Sequence, residues 1–129
     1  MTTSRVGINK NNKRLKVLIA GGSRGIGRGI SHVLNDANYE VIAIGKNKNP
    51  EFLNSNIRYI QADLSTTSGI DYVTKLISIE RPSILINCLG IERNCSFTET
   101  TKEDYNLVMN TNVTCHVSLT KAVIPYMLK

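Results

Sequence analysis

The stretch Lys16-Val-Leu-Ile-Ala20-Gly-Gly-Ser-Arg-Gly-Ile-Gly27 decides the architecture. Val17 to Ala20 is an unbroken apolar run closed by glycine, the profile of a strand buried on both faces. Glycines stand at 21, 22, 25 and 27, and behind them Ile26, Ile30, Val33 and Leu34 recur at helical spacing. A phosphate-bearing ligand needs backbone N–H groups close by and no Cβ in the way, and a helix N-terminus adds partial positive charge. A glycine-rich turn can also be purely structural. The buried strand before this one and the amphipathic helix behind it favour phosphate binding. Gly21, Gly22, Ser23, Arg24, Gly25, Ile26 and Gly27 are therefore the first candidate binding residues.

The same alternation continues outward. Asn38 reads as a helix stop. Val41–Ile44 is a second buried strand closed by Gly45, and Asn47–Asn56, with Pro50 inside it, is a loop. Ile57–Gln61 is a third strand. Residues 68–80 carry Ile70, Val73, Leu76 and Ile77 on one helical face, and Arg81-Pro82 ends that helix. Ser83–Asn87 is a fourth strand and Cys88-Leu89-Gly90 a turn. Thr101 to Lys129 reads as helical nearly throughout, with Pro125 bending or ending it late. Strands alternating with helices give an α/β fold, a Rossmann-type doubly wound parallel sheet with right-handed crossovers, cut off after about four strands. Residues 15–129 are the N-terminal part of this Rossmann domain, and residues 1–14 a basic, flexible tail.

Composition narrows the class. The 129 residues are 41% hydrophobic and 20% charged, and no apolar run approaches the roughly 20 residues that cross a bilayer. No membrane partner is expected. The odd count of cysteines, Cys88, Cys95 and Cys115, with no C-x-x-C pair, argues for reduced thiols and against a metal site. The net charge of +6 is concentrated at the front: residues 1–50 hold nine Lys/Arg against Asp36 and Glu40. The acid-free segment 1–14 is compatible with a weak mitochondrial presequence, which leaves cytoplasm and mitochondrial matrix both open. Nucleic acid is not an expected partner, because no aromatic residues stand beside the basic ones of the front segment to stack on bases.

The turn resembles the T-G-x-x-x-G-x-G motif of the short-chain dehydrogenase/reductase family, with Ala20 in place of the usual threonine. The missing hydroxyl removes a hydrogen bond of about 1 kcal/mol and leaves the phosphate cradle. Three more segments match in order. Asp63-Leu64 stands where the family contacts adenine, Asn87-Cys88-Leu89-Gly90 resembles its N-N-A-G turn, and Asn112 falls at its catalytic-site asparagine. The words around Gly90-Ile91, Arg93, Thr111-Asn112-Val113 and Lys121-Ala122-Val123 are most similar to 3-oxoacyl-acyl-carrier-protein reductases. The resemblance implies NADP(H) as cofactor, acyl carrier protein or a homologous reductase subunit as partner, an oligomeric full-length form and a role in fatty acid synthesis.

Cofactor choice is read from charge. An NAD-preferring site places Asp or Glu at the end of the second strand, whereas here Gly45 is followed by Lys46. Arg24 and Lys46 favour the 2′-phosphate of NADP. The family's Y-x-x-x-K pair is missing: Tyr39, Tyr59, Tyr72 and Tyr105 are followed four residues on by Ala43, Asp63, Leu76 and Met109. The resemblance thus covers the cofactor-binding half, and the catalytic Ser, Tyr and Lys are expected beyond Lys129. The chain is a fragment or a truncated product, inactive alone, or a non-catalytic partner of a complete reductase. His32 and His116 read as ordinary helical positions, and Cys88 as a small filler.

Overall fold

The computed structural model describes residues 6–48, 50 and 53–129. Four strands, β1 (Lys16–Ala20), β2 (Glu40–Gly45), β3 (Arg58–Gln61) and β4 (Ile84–Asn87), form one parallel sheet in the order β3-β2-β1-β4. Val17 lies opposite both Val41 and Ile84, and Ala20 opposite both Ile44 and Asn87. β1 is thus paired on both edges and covered on both faces. That position explains why its residues 17–20 are apolar without alternation. Among the described residues there are four α-helices, α1 (Gly25–Asp36), α2 (Thr67–Glu80), α3 (Lys102–Met109) and α4 (Cys115–Met127), of which α1, α2 and α4 pack against the sheet.

The strands' alternating side chains build two cores. Leu18, Ala20, Ile42 and Ile44 pack with Ile70, Val73 and Ile77 of α2 and with Cys115, Leu119 and Val123 of α4. Val17, Ile19, Val41 and Ala43 face the other way, against Ile30 and Leu34 of α1. Each fully buried Leu or Ile contributes about 1.5–3 kcal/mol. Cys115 belongs to the first core, and burial pushes its thiol up to about 11.

Several expectations shift in detail. Ile26 and Val33 do not share the buried face of α1; they are 78% and 67% exposed. The helix instead turns Gly27 and Ser31 inward, because only small residues let its first turns approach the strand so closely. The helical stretch after Thr101 is interrupted by a π-helical turn at Asn110–Thr114, where the Cys115 N–H reaches back to the Asn110 carbonyl. Pro125 does not end α4, which runs on to Met127; one lost backbone bond so near the terminus is tolerated. Asn38 does mark the end of α1, with φ +68°.

The basic segment expected as a flexible tail is folded over residues 6–14. Ile8 and Arg14 form an antiparallel bridge, and the Leu15 N–H donates to the Gly7 carbonyl at 2.6 Å. The Arg14 guanidinium donates to the carbonyls of Asn38 and Tyr39, placing a cation at the C-terminal end of α1. Residues 1–5 of that segment, and 49, 51 and 52 of the expected Asn47–Asn56 loop, lie outside the described residues. Among the described strands nothing pairs with the outer edge of β4, which leaves Ile84-Leu85-Ile86 as an apolar edge.

At the opposite end of the sheet from the glycine turn, Glu80 closes α2 onto the strands. Its carboxylate accepts from Lys16 Nζ and Arg58 Nη2, each at 2.6 Å. Those two cations, Lys16 foremost, hold its carboxyl below the usual range. A depressed carboxyl contributes stability that is full above its ordinary value of 4.5 and is lost as pH falls through the depressed one. Glu80→Gln should therefore cost about 2 kcal/mol at pH 7. In urea titrations its deficit against the parent chain should shrink steadily once the pH falls below the ordinary carboxylate range.

Candidate functional site

The C-terminal ends of all four strands open on one cleft of about 400 Å³. β1 contributes Gly21 just past its end, β2 contributes Gly45 and Lys46, the segment after β3 contributes Asp63 and Leu64, and the turn after β4 contributes Cys88 to Gly90. Because β1 pairs with β2 on one side and β4 on the other, successive crossovers depart in opposite directions there. A crevice at that switch point follows from the topology.

Each glycine of the turn has its own reason. Gly21 takes φ +82° and Gly25 φ +53°, conformations that glycine adopts at little cost. At Gly27 a Cβ would lie 1.9 Å from the Gly21 carbonyl oxygen, so α1 can start where it does only with glycine there. Gly22 is packed against Ala43 and Ser31. Ser31 fastens the assembly from below, its Oγ donating to the carbonyls of Gly22 at 3.0 Å and Gly27 at 2.9 Å. A buried serine inside a helix was not singled out in the sequence; its i−4 spacing from Gly27 was the available signal.

The N-terminus of α1 is chemically open. Arg24 at its N-cap makes no side-chain capping bond, and its first turn carries no acid. By contrast, Thr66 caps α2 through the Gly69 N–H, and Thr101 caps α3 through the Asp104 N–H. The Gly21 and Gly22 N–H groups are taken by the Ile44 carbonyl, whereas the uncapped first turn of α1 at Gly25, which lines the cleft without a Cβ, suits a phosphate. Arg24 and Lys46 line the same cleft and are exposed. The residues present thus fit a dinucleotide.

At the β2 end, Gly45 makes room for hydroxyls. A Cβ there would lie 2.3 Å from Ser23 Oγ and 2.9 Å from Tyr59 Oη. Tyr59, also missed in the sequence, donates its hydroxyl to the Asn47 carbonyl at 2.6 Å, and Gln61 Nε2 donates to the Lys46 carbonyl at 3.1 Å. Burial raises the Tyr59 phenol, opposed by the neighbouring Ser23 hydroxyl. Asp63 Oδ1 accepts from the Ser65 hydroxyl at 2.6 Å and the Ser65 N–H at 3.0 Å, which lowers its carboxyl, with Lys46 adding to the effect.

Of the expected residues, Gly21, Ser23, Arg24, Gly25, Lys46, Asp63, Leu64 and Gly90 line the cleft. Gly22 and Gly27 lie beneath it as packing residues, and Ile26 faces solvent outside its lining. Asn87 is turned away, its Nδ2 donating to Thr120 Oγ1 at 3.3 Å. Asn112 does not line the cleft either. Its Oδ1 accepts from the Ile91 N–H at 2.9 Å and its Nδ2 donates to the Ile91 carbonyl at 2.8 Å, so both ends of the amide hold the loop after β4. Cys88, Leu89 and Thr111, none singled out as binding residues, do line it.

Residues 15–129 match the short chain dehydrogenase family. The chain belongs to that family. It is 30% identical over 119 residues to the 3-oxoacyl-[acyl-carrier-protein] reductase FabG of Vibrio cholerae, covering 87% of this chain and 49% of the relative. The FabG of Escherichia coli is 29% identical over the same shares. The chain therefore spans about half the length of the curated relatives it matches. Among solved structures it is similar to a short chain dehydrogenase from Leptospira borgpetersenii with bound NAD+, at 27% identity and TM-score 0.76, covering 86% of this chain and 45% of that one. It also resembles an ElxO variant with NADPH bound, at 25% identity and TM-score 0.75, covering 89% and 51%. The four-stranded sheet is thus a Rossmann-type fold shortened relative to those neighbours.

Two glycines of α1 make a controlled contrast. Gly29 has nothing within 4 Å of an added Cβ, so Gly29→Ala should stabilise the chain by about 0.5–1 kcal/mol through helix propensity. Gly27→Ala drives a methyl into the Gly21 carbonyl and should cost about 3 kcal/mol. Thermal melts of the two variants should move in opposite directions.

Proposed function

We propose that this chain is the cofactor-binding half of an NADP-dependent carbonyl reductase, most similar to the 3-oxoacyl-acyl-carrier-protein reductases of fatty acid synthesis. The observation that carries it is the uncapped N-terminus of α1 behind a glycine-rich turn, with Arg24 and Lys46 on the same cleft. Bound there, the dinucleotide supplies a hydride. The chain's own residues bind and orient it: the amides of the first turn of α1, from Gly25 on, face the pyrophosphate, Asp63 and Leu64 border the adenine, and Gly90 borders the far end. Asn112 acts as a positioning residue through Ile91, in place of the catalytic contact that the family resemblance implied.

Preference for NADP rests on charge and space. A carboxylate at position 45 would have to displace the Ser23 and Tyr59 hydroxyls, so the usual partner of an unphosphorylated ribose has no room. Two cations beside the same ribose would attract a phosphate. The substrate assignment follows the FabG relatives. A 29% identical relative, the 3-ketodihydrosphingosine reductase of Bacteroides thetaiotaomicron, offers another long-chain 3-keto compound as the competing substrate class.

The second reading is a non-catalytic partner of a complete reductase. Exposed Val113, Val117 and Ile124 on and beside α4 give such a partner, or a further copy, an apolar surface. Reading the transcript past the codon for Lys129 separates the two: an in-frame Y-x-x-x-K supports the reductase half, and a stop supports the partner. Fluorescence titration of this chain should show NADPH binding at least tenfold tighter than NADH, and Arg24→Ala/Lys46→Ala should erase the difference. The pure chain should reduce no carbonyl substrate. Equal affinity for both dinucleotides would overturn the NADP assignment.

A further inference from the structure

The turn after β4 is held from above by two side chains one helical turn apart. Asn112, in the π-helical turn, takes both the N–H and the carbonyl of Ile91. His116, at the start of α4, places Nε2 2.8 Å from the Leu89 carbonyl oxygen. A carbonyl only accepts, so Nε2 carries the hydrogen. Nδ1 is buried and has no partner among the described residues. A buried polar atom without a partner is costly. The ring keeps that orientation while its other nitrogen holds Leu89. Between the two gripped residues stands Gly90, which lines the cleft together with Leu89 and Ile91.

We propose that His116 is a positioning residue for the dinucleotide, fixing the Leu89-Gly90-Ile91 segment against the cleft. This rests on the cleft being a dinucleotide site, as argued above. The π-helical turn supplies the geometry: with its wider winding, Asn112 and His116 address neighbouring peptides of one loop. Gly90 alone would leave this segment free to rotate. With Leu89 and Ile91 both bonded, the peptide between them has a fixed height in the cleft. His116 touches no reacting atom; it acts through Leu89.

The test compares His116→Leu with His116→Gln in the full chain. Glutamine keeps an N–H of similar reach to the Leu89 carbonyl, and leucine keeps bulk without a donor. Amide hydrogen exchange over residues 88–92 of the unliganded chain reads the loop directly, with β1 and β2 as internal reference. His116→Leu should speed exchange there about tenfold with the strands unchanged, and weaken NADPH binding about five- to tenfold. His116→Gln should stay within about twofold of the parent in both. Parental exchange in His116→Leu, or equal damage in both variants, overturns the proposal. An unfolded His116→Leu beside a folded His116→Gln also overturns it, because the bond would then support the whole domain. If the parent chain binds no NADPH but exchange behaves as expected, the dinucleotide reading fails and the loop-fixing role of His116 stands.

Discussion

Gly27 sits so close beneath Gly21 that a Cβ built on it would lie 1.9 Å from the Gly21 carbonyl oxygen. That contact sets how near the first turn of α1 comes to the end of β1, and much else follows from it. Ser31, one turn later, can then reach the carbonyls of both Gly22 and Gly27. The helix must turn its smallest residues inward, which moves Ile26 and Val33 outward to solvent. The uncapped amides of the helix are left pointing over the turn, at the mouth of the cleft. A packing constraint and a binding geometry are here one arrangement, since the glycines that let the helix approach also leave room for a phosphate.

The strand order gives this turn its surroundings. Placing β1 between β2 and β4 brings three other strand ends to the same crevice, separated in sequence by up to about seventy residues. Each end is then tied locally. Tyr59 and Gln61 hold the backbone after β2, Ser65 occupies the Asp63 carboxylate after β3, and Asn112 with His116 holds the loop after β4. None of these tethers lies in the glycine turn itself. Removing one would loosen a single wall of the cleft and leave the sheet intact.

The layout of strands and helices was legible because burial on both faces leaves an unmistakable mark: apolar runs without alternation, closed by Gly45 or Asn87. The glycine turn was legible because it stands between a buried strand and an amphipathic helix. The errors share a cause. Ile26 shares its helical spacing with Ile30, Val33 and Leu34, yet periodicity reports only that apolar residues share a side, and close packing at Gly27 chose a neighbouring side. Asn87 and Asn112 were assigned to the site by resemblance, and the structure gives their amides to Thr120 and Ile91. Whether an amide meets a ligand or a backbone depends on distances between segments far apart in the chain. Ser31, Tyr59 and His116 were passed over for the same reason: their partners are carbonyls, and a carbonyl leaves no trace in sequence.

Charge separates along the same lines. Lys16 and Arg58 are paired with Glu80, and Lys16 with Glu40 as well, at one end of the sheet, and Arg14 is taken up by the carbonyls at the end of α1. Arg24 and Lys46 stand at the opposite end, on the cleft and exposed. Of the cations in the first fifty residues, Lys16 thus closes the bottom of the fold, Arg14 the end of α1, and Arg24 and Lys46 line the crevice. A cation left exposed beside free helix amides has its largest interaction with a ligand more negative than the surface carboxylates already present, and a phosphorylated ribose is such a ligand.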